Sequence, residues 1–291
     1  MNTRTRTHHA EVVVDGLRFG EGPRWRPAED GGRLFFSDMH DGLVRTLDGD
    51  GHLDTVCRVP GDPSGLGWLP DGRLLVVSMR DRKLLRLEPD GTLLEHADLS
   101  SLAGFHCNDM VVGPDGRAWV GHFGFDLHAG EDFRAAELIR VDADGSAEVV
   151  AREMGFPNGT VITPDGTTLI VAESFAGRLT AFRIEPNGSL SGRRLWAQLP
   201  EGAVPDGICL DAKGAIWAAS PRGDQCLRIL EGGEVTDRIE LDRGAFACML
   251  GDVDRRTLYL CTAGDSDPAR TGNRSGRIER LRVDVPGAGW P

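Results

Sequence analysis

Six short segments restart the same pattern along this chain of 291 residues, at steps of 43, 44, 50, 48 and 42 residues. They begin Glu21-Gly-Pro-Arg-Trp, Ser64-Gly-Leu-Gly-Trp, Asn108-Asp-Met-Val-Val, Asn158-Gly-Thr-Val-Ile, Asp206-Gly-Ile-Cys-Leu and Cys248-Met-Leu-Gly-Asp. A period of that size marks a repeat architecture, in which each copy buries its apolar surface against its neighbours. The lead residue changes from copy to copy while its surroundings stay alike. That combination predicts a symmetric scaffold carrying an asymmetric site.

Each copy contains short apolar runs separated by turn residues. In the third copy, runs at 108–113, 118–124, 137–142 and 147–153 alternate with Pro114-Asp115-Gly116, a longer loop and Asp144-Gly145. Runs of that length, rich in Val, Ile, Leu and Trp and bounded by Asp-Gly, read as antiparallel strands of a meander. Pro70-Asp71-Gly72, Pro114-Asp115-Gly116 and Pro164-Asp165-Gly166 each begin six residues after a lead residue, and Asp211-Ala212-Lys213-Gly214 fills that slot in the fifth copy. Pro205-Asp206-Gly207 repeats the same tripeptide out of phase, at the lead position itself. Asp206 is therefore set apart from the turn residues.

Six units of four strands predict an all-β six-bladed β-propeller with four antiparallel strands per blade. The sixth copy supplies three strands, near 246–251, 257–262 and 276–283. The fourth is expected from Glu11–Val14, so that the N-terminal strand closes the last blade and covers an exposed edge. Residues 1–10 read as a disordered tail and 11–291 as one propeller domain. A net charge of −12 argues against nucleic-acid binding. No apolar run reaches the length of a membrane span, and no signal-peptide pattern opens the chain. Six cysteines without a C-x-x-C pair read as reduced thiols of a cytoplasmic protein.

The first strand of each propeller blade lines the central channel. Glu21, Ser64, Asn108, Asn158, Asp206 and Cys248 would then form a ring. Burying Glu21 and Asp206 together is costly unless a cation accompanies them. Oxygen donors of this kind suit calcium, magnesium or manganese, with zinc also open.

On Gly20-Glu21-Gly-Pro-Arg-Trp25, Asn108-Asp109, Phe156-Pro-Asn158-Gly159, Pro205-Asp206-Gly207 and Ala247-Cys248-Met-Leu-Gly251, taken in order and in phase, the chain resembles a known family. This is the gluconolactonase, senescence-marker-protein (regucalcin) and luciferin-regenerating-enzyme family of six-bladed propellers. The resemblance covers roughly residues 11–285. It implies one divalent metal held by Glu21, Asn158 and Asp206, with calcium foremost, and it implies that Asn108 faces that metal and contacts substrate or water. It also implies a small-molecule substrate. Sugar-lactonase relatives often carry an Arg two residues before the blade-three Asn; here that residue is His106. A neutral or switchable imidazole in place of a permanent cation counts against a simple aldonolactone.

The resemblance thus implies a metal-dependent hydrolase that opens a lactone. Asp206, Asn108 and His106 are the catalytic candidates, and Asp206, Asp109 and His106 are all open as the proton acceptor. His106, Asn108, Asp109, His122, Phe123 and Phe125 are the substrate-binding candidates. The blade-three loop from Gly121 to His128 is either a substrate wall or a surface loop with packed Phe residues. Two rival readings remain: the same metal cage serving a cyclisation, isomerisation or elimination, and a binding propeller without catalysis. Trp25, Trp68, Trp119 and Trp217, at equivalent strand positions, are expected to pack between blades.

Overall fold

The computed structural model of the chain describes residues 5–29 and 31–290. The strands form six separate sheets, each with a core of four antiparallel strands that follow one another along the chain, except that the last sheet takes its fourth strand from the N-terminus, as in a six-bladed β-propeller. Burial falls from the axis outward. The first strands Cys107–Val112, Pro157–Ile162 and Gly244–Gly251 are buried at every residue. The fourth strands, such as Leu190–Gln198, are largely exposed or half-buried. This gradient explains why first-strand sequences read as continuous apolar runs: both faces of an inner strand meet another blade.

The core lies between blades. Val161 and Ile170 of blade four pack with Ile208, Ile216 and Leu227 of blade five. Leu75 and Val77 of blade two pack with Met110 and Val120 of blade three. The four tryptophans take part in this packing. Trp25 stacks on Tyr259 of blade six at 5.9 Å, and Trp119 and Trp217 are fully buried. Trp68, half-buried, meets Phe35 edge-on at 5.1 Å.

The repeated Asp-Gly turns close the hairpins between first and second strands. Gly72, Gly116, Gly166 and Gly214 donate back to Leu69, Gly113, Thr163 and Asp211, each with a positive φ that suits glycine. Blade six is closed by the N-terminal strand Glu11–Leu17, which pairs antiparallel with Gly276–Arg282.

Two features at the chain ends go beyond the sequence reading. The expectation of a disordered tail over residues 1–10 is corrected where those residues are described. Arg6–His8 forms a strand parallel to Val235–Glu240 and adds a fifth strand to blade five. The physical reason is Asp237, a buried carboxylate that Arg6 and His8 reach at 2.8 and 3.0 Å. Met1–Arg4 lie outside the described residues. At the other terminus the chain crosses the ends of two first strands. Trp290 and Ile162 exchange backbone hydrogen bonds, and Ala288 donates to Leu210. This strap lies at the strand ends opposite Asn158 and Asp206. Three one-turn 3₁₀ helices are the only helices among the described residues, and none is long and apolar enough to cross a membrane.

Candidate functional site

The axial ends of the first strands crowd together so closely that side chains are excluded beside the lead residues. A Cβ on Gly159 would lie 2.6 Å from the Asp206 carbonyl oxygen, and one on Gly22, whose φ is +53, would lie 2.5 Å from the Ser64 carbonyl oxygen. Glycine after Glu21 and after Asn158 is therefore a packing requirement. It lets the lead side chains of neighbouring blades face one volume.

Glu21, Asn108, Asn158 and Asp206 all line a cavity of about 130 Å³ on the propeller axis. The backbone bond from Gly159 N–H to the Asp206 carbonyl is matched by one from Gly207 N–H to the Phe246 carbonyl. Ala245 stands opposite Thr262 as Pro157 stands opposite Glu173. Phe246, not Cys248, is therefore the sixth lead residue, and it lines the cavity. Cys248 lies two residues further along, buried with its thiol against the Trp217 carbonyl and 3.8 Å from the Cys209 thiol. The ring is closed on that side by an aromatic side chain, not a donor. Ser64 is buried at its ring position, where its carbonyl accepts a bond from Ser37, and it does not line the cavity.

The hydrogen bonds orient the amides. The Ser174 hydroxyl donates to the Pro205 carbonyl at 2.7 Å, so it must accept from the Asn158 NH₂ group, 3.2 Å away. The Asn158 amide oxygen is left for the axis. Asn108 NH₂ faces the Pro157 carbonyl at 3.4 Å, which likewise turns its oxygen away. The Glu21 carboxylate accepts a bond from Gly22 N–H at 2.9 Å. Asp206 Oδ1 is buried and has no hydrogen-bond partner among the described residues.

Electrostatics make this site expensive for protein alone. Burial, then the charges of Asp206 and Asp109, push the Glu21 carboxyl well above its ordinary range. Burial and the Asp109 charge do the same to Asp206, against the favourable pull of Asn158 and Gly207. Asp109 does not line the cavity. It forms a buried ion pair with Arg24 at 2.7 Å, and Arg24 also donates to the carbonyls of Pro23, Leu66 and Met110. One guanidinium thus ties blades one, two and three together. Glu21, Asp109 and Asp206 against Arg24 leave two negative charges, the deficit a divalent ion would balance. The unpartnered Asp206 oxygen, the inward amide oxygen and this deficit fit a hard cation. Among the described residues no cluster of three His, Cys, Asp or Glu side chains is placed to hold a metal, so this donor set depends on an amide.

Two further rings line the cavity above the lead residues. Phe19, Asp62, His106 and Phe156 each stand two residues before a lead residue. Their carbonyls accept from Met39, Met79, Phe123 and Ser174, which each follow a second strand. Met39, Met79 and Phe123 line the cavity, with His40, Arg80, Leu127 and His128 towards its mouth. Of these positions the sequence reading singled out His106 and Phe123 and, within the Gly121–His128 loop, Leu127 and His128. The lead-residue phase, shifted by two, was the signal for the others.

His106 is half-buried and stacks on Phe105 at 4.0 Å, and burial depresses its pKa, so it is neutral near pH 7. Two further substrate-binding candidates, His122 and Phe125, do not line the cavity. His122 is fully buried and faces the third strand of its blade, where its Nε2 accepts from Glu137 N–H at 3.0 Å. Phe125 is buried behind the cavity wall, against Phe133, Phe156 and Phe175. Glu173, in the slot of His122, is held by Arg178, Thr180 and Gly155; these bonds outweigh burial and keep its carboxyl below the usual range.

The family model of the SMP-30/Gluconolactonase/LRE-like region matches residues 19–264. A 6-deoxy-6-sulfogluconolactonase of Pseudomonas putida is 29% identical over 289 residues, 96% of each chain. A pentonolactonase of Haloferax volcanii is 29% identical over 290 residues, 96% of this chain and 95% of that protein. Among solved structures, a calcium-binding regucalcin from Agrobacterium tumefaciens shares the fold, with a TM-score of 0.83 at 24% identity and 99% of both chains covered. A match of that extent to the family model, over a propeller with this axial ring, shows that the chain belongs to the SMP-30/gluconolactonase/LRE-like family.

Proposed function

We propose that the protein is a metal-dependent hydrolase that opens a lactone. The observation that carries this reading is the pairing of two buried carboxylates, one with an unpartnered oxygen, at the floor of a small cavity. The lactonase activities named for its two bacterial and archaeal relatives support it. Glu21, Asn158 and Asp206 would hold the ion, and all-oxygen donors with an amide among them suit calcium before the other divalent ions. When bound, the ion supplies Lewis-acid stabilisation for negative charge on the ester carbonyl.

The chain's own groups do the remaining work. Asn108, fixed by its bond to the Pro157 carbonyl, presents an oxygen that positions water or a substrate group. Asp206, which would give one oxygen to the ion, is the first candidate to accept the proton of the attacking water. His106, neutral on the cavity wall, is the second candidate. Asp109 is withdrawn from that role because its charge is committed to Arg24. Water adds to the carbonyl carbon, the ring C–O bond breaks, and the ring oxygen takes a proton to give a hydroxy acid. The apolar residues of the cavity wall, Phe19, Phe123, Phe156 and Phe246, limit competing water.

Elemental analysis of the purified protein, with turnover of a lactone panel before and after chelation, tests this. The expected result is about one divalent ion per chain and activity lost on chelation and restored by the ion. Full activity in metal-free protein would overturn the metal assignment, and inertness toward every lactone would overturn the reaction.

A further inference from the structure

The walls above the axial oxygens are made for an apolar group. Phe19, Phe123, Phe156 and Phe246 present rings to the cavity, and Met39 and Met79 fill between them. Of the polar groups at the mouth, Arg80 and His40 Nε2 are committed to the protein, while His40 Nδ1 is buried without a partner among the described residues. Arg80 pairs with Asp62 at 3.0 Å and donates to the Pro60 carbonyl at 2.7 Å. His40 Nε2 lies 3.1 Å from the Ser266 carbonyl, to which it donates. A sugar lactone brings a hydroxyl on almost every ring carbon. Each one buried without a partner costs roughly tenfold or more in affinity.

Phe156 is held in this wall at a cost. Its φ is +65, an outlier for a bulky residue, and such strain persists where the surrounding structure over-determines it. The aromatic surface continues outward from it. Phe156 lies 4.6 Å from Phe123 and 5.2 Å from Phe175, and Phe175 stacks on Phe133 at 5.7 Å. Phe133 and Phe175 are about half exposed, at 50% and 51%. The cavity, about 130 Å³, is close to the roughly 150 Å³ apolar cavity that accepts one benzene ring.

We propose that the substrate is a small lactone bearing an alkyl or aryl substituent, not a polyhydroxylated one. The lactone ring meets the axial oxygens, the substituent lies against Phe123, Phe156 and Phe246, and longer substituents run out to the Phe133–Phe175 pair. This rests on the lactonase reading above and narrows it.

The test compares kcat/KM of the metal-loaded enzyme for γ-butyrolactone, its γ-alkyl and γ-phenyl derivatives, and glucono-δ-lactone. The expected result is a rise of roughly fourfold per added methylene until the wall is covered, since each buried methylene is favourable by that order. Glucono-δ-lactone is expected to trail the γ-phenyl compound by about a hundredfold or more. Equal or better turnover of glucono-δ-lactone would overturn this inference and leave the lactonase reading standing. No turnover of any lactone would overturn both. Phe156→Ala should lower the γ-phenyl to γ-butyrolactone ratio by about tenfold, the order expected for a buried aromatic contact. Phe175→Ser, at a half-exposed position and safe for folding, should lower the ratio for the longest alkyl chain. Ratios unchanged from wild type in both folded variants would overturn the placement.

Discussion

The two ends of the first strands use the same residue type for opposite purposes. At the turn end, Asp71, Asp115, Asp165 and Asp211 each accept a bond from the backbone N–H two residues on, at 2.8–3.1 Å. At the axial end, Asp206 sits in the same Pro-Asp-Gly tripeptide as Asp165, yet it is buried and one oxygen lacks a partner. Hydrogen bonds from Thr163 and Thr167 hold the Asp165 carboxyl below its usual range, whereas burial and Asp109 push Asp206 above it. The turn end repeats because every blade needs the same hairpin. The axial end varies because each blade contributes a different side chain to one site. Position within the repeat decides the chemistry, not the local motif.

The largest expected effect comes from Asp206→Asn. It keeps an oxygen at the axis but removes one of the charges facing it. Activity should fall by about three orders of magnitude, the scale seen when a group that stabilises the transition state is removed. Melting should tell a ligand from a structural residue. In chelator-treated protein the variant should melt no lower than wild type, because a neutral amide is cheaper to bury than a carboxylate. In saturating calcium, wild type should gain more stability than the variant by mass action. A lower melting temperature for the variant without metal would make Asp206 a structural residue and break the contrast.

Arg24 is the counterweight to the axial carboxylates. Arg24→Met strands Asp109 without a partner, and breaking one side of a buried pair costs about 3–5 kcal/mol. Denaturant melts should show that loss. Adding Asp109→Asn should recover a large part of it, since the stranded charge is then gone. Failure of the second change to recover stability would mean that Arg24 acts chiefly through its three carbonyl bonds.

A smaller effect concerns His40, at the cavity mouth. Burial depresses its pKa from 6.5 to about 4. The unfolded chain therefore takes up a proton between those values that the folded chain refuses. Stability from this residue is full above pH 6.5, is lost as pH falls towards 4 and levels off below. At about 1.4 kcal/mol per unit, the loss is at most about 3 kcal/mol. Urea melts at pH 7 and pH 4.5 should show a smaller drop in His40→Gln than in wild type. An equal drop would assign the acid sensitivity to other groups.

The legible part of this molecule was the part that repeats. Pro-Asp-Gly turns at a constant offset made the phase of the second, third and fourth copies readable, and with it Asn108 and Asn158. The sixth copy has no such turn. Gly244–Gly251 is an unpunctuated buried strand, and Cys248 was read as the lead residue where Phe246 stands. Arg24 and Ser174 could not be read, because their roles rest on contacts with other blades or with backbone carbonyls. His122 illustrates the opposite error. It ends the right strand for an axial residue, but the pleat turns it to Glu137. The N-terminal strand from Arg6 depends on a carboxylate more than 200 residues away, which no local pattern announces.

The smallest expected effect, Asp165→Asn, carries as much weight as the largest. Asp165 Oδ1 accepts from the Thr163 hydroxyl at 2.6 Å and from Thr167 N–H at 3.1 Å, and an Asn amide oxygen can accept both. Asn also serves Asp-Gly turns well, and Gly166 keeps its φ of +71. The side chain is exposed, so little electrostatic energy is at stake. Activity should stay within about twofold of wild type, as for surface changes away from any special feature. The sign of the pH effect gives a finer check. The depressed pKa of Asp165 means that its contribution is present above its unfolded pKa and lost as pH falls through the lower folded value, whereas Asn cannot titrate. The variant should therefore lose slightly less stability than wild type on acidification. Two variants, each Asp→Asn within Pro-Asp-Gly, differ only in where the repeat places them. If they lose activity equally, position within the repeat does not decide the chemistry, and Asp206 is one more turn residue.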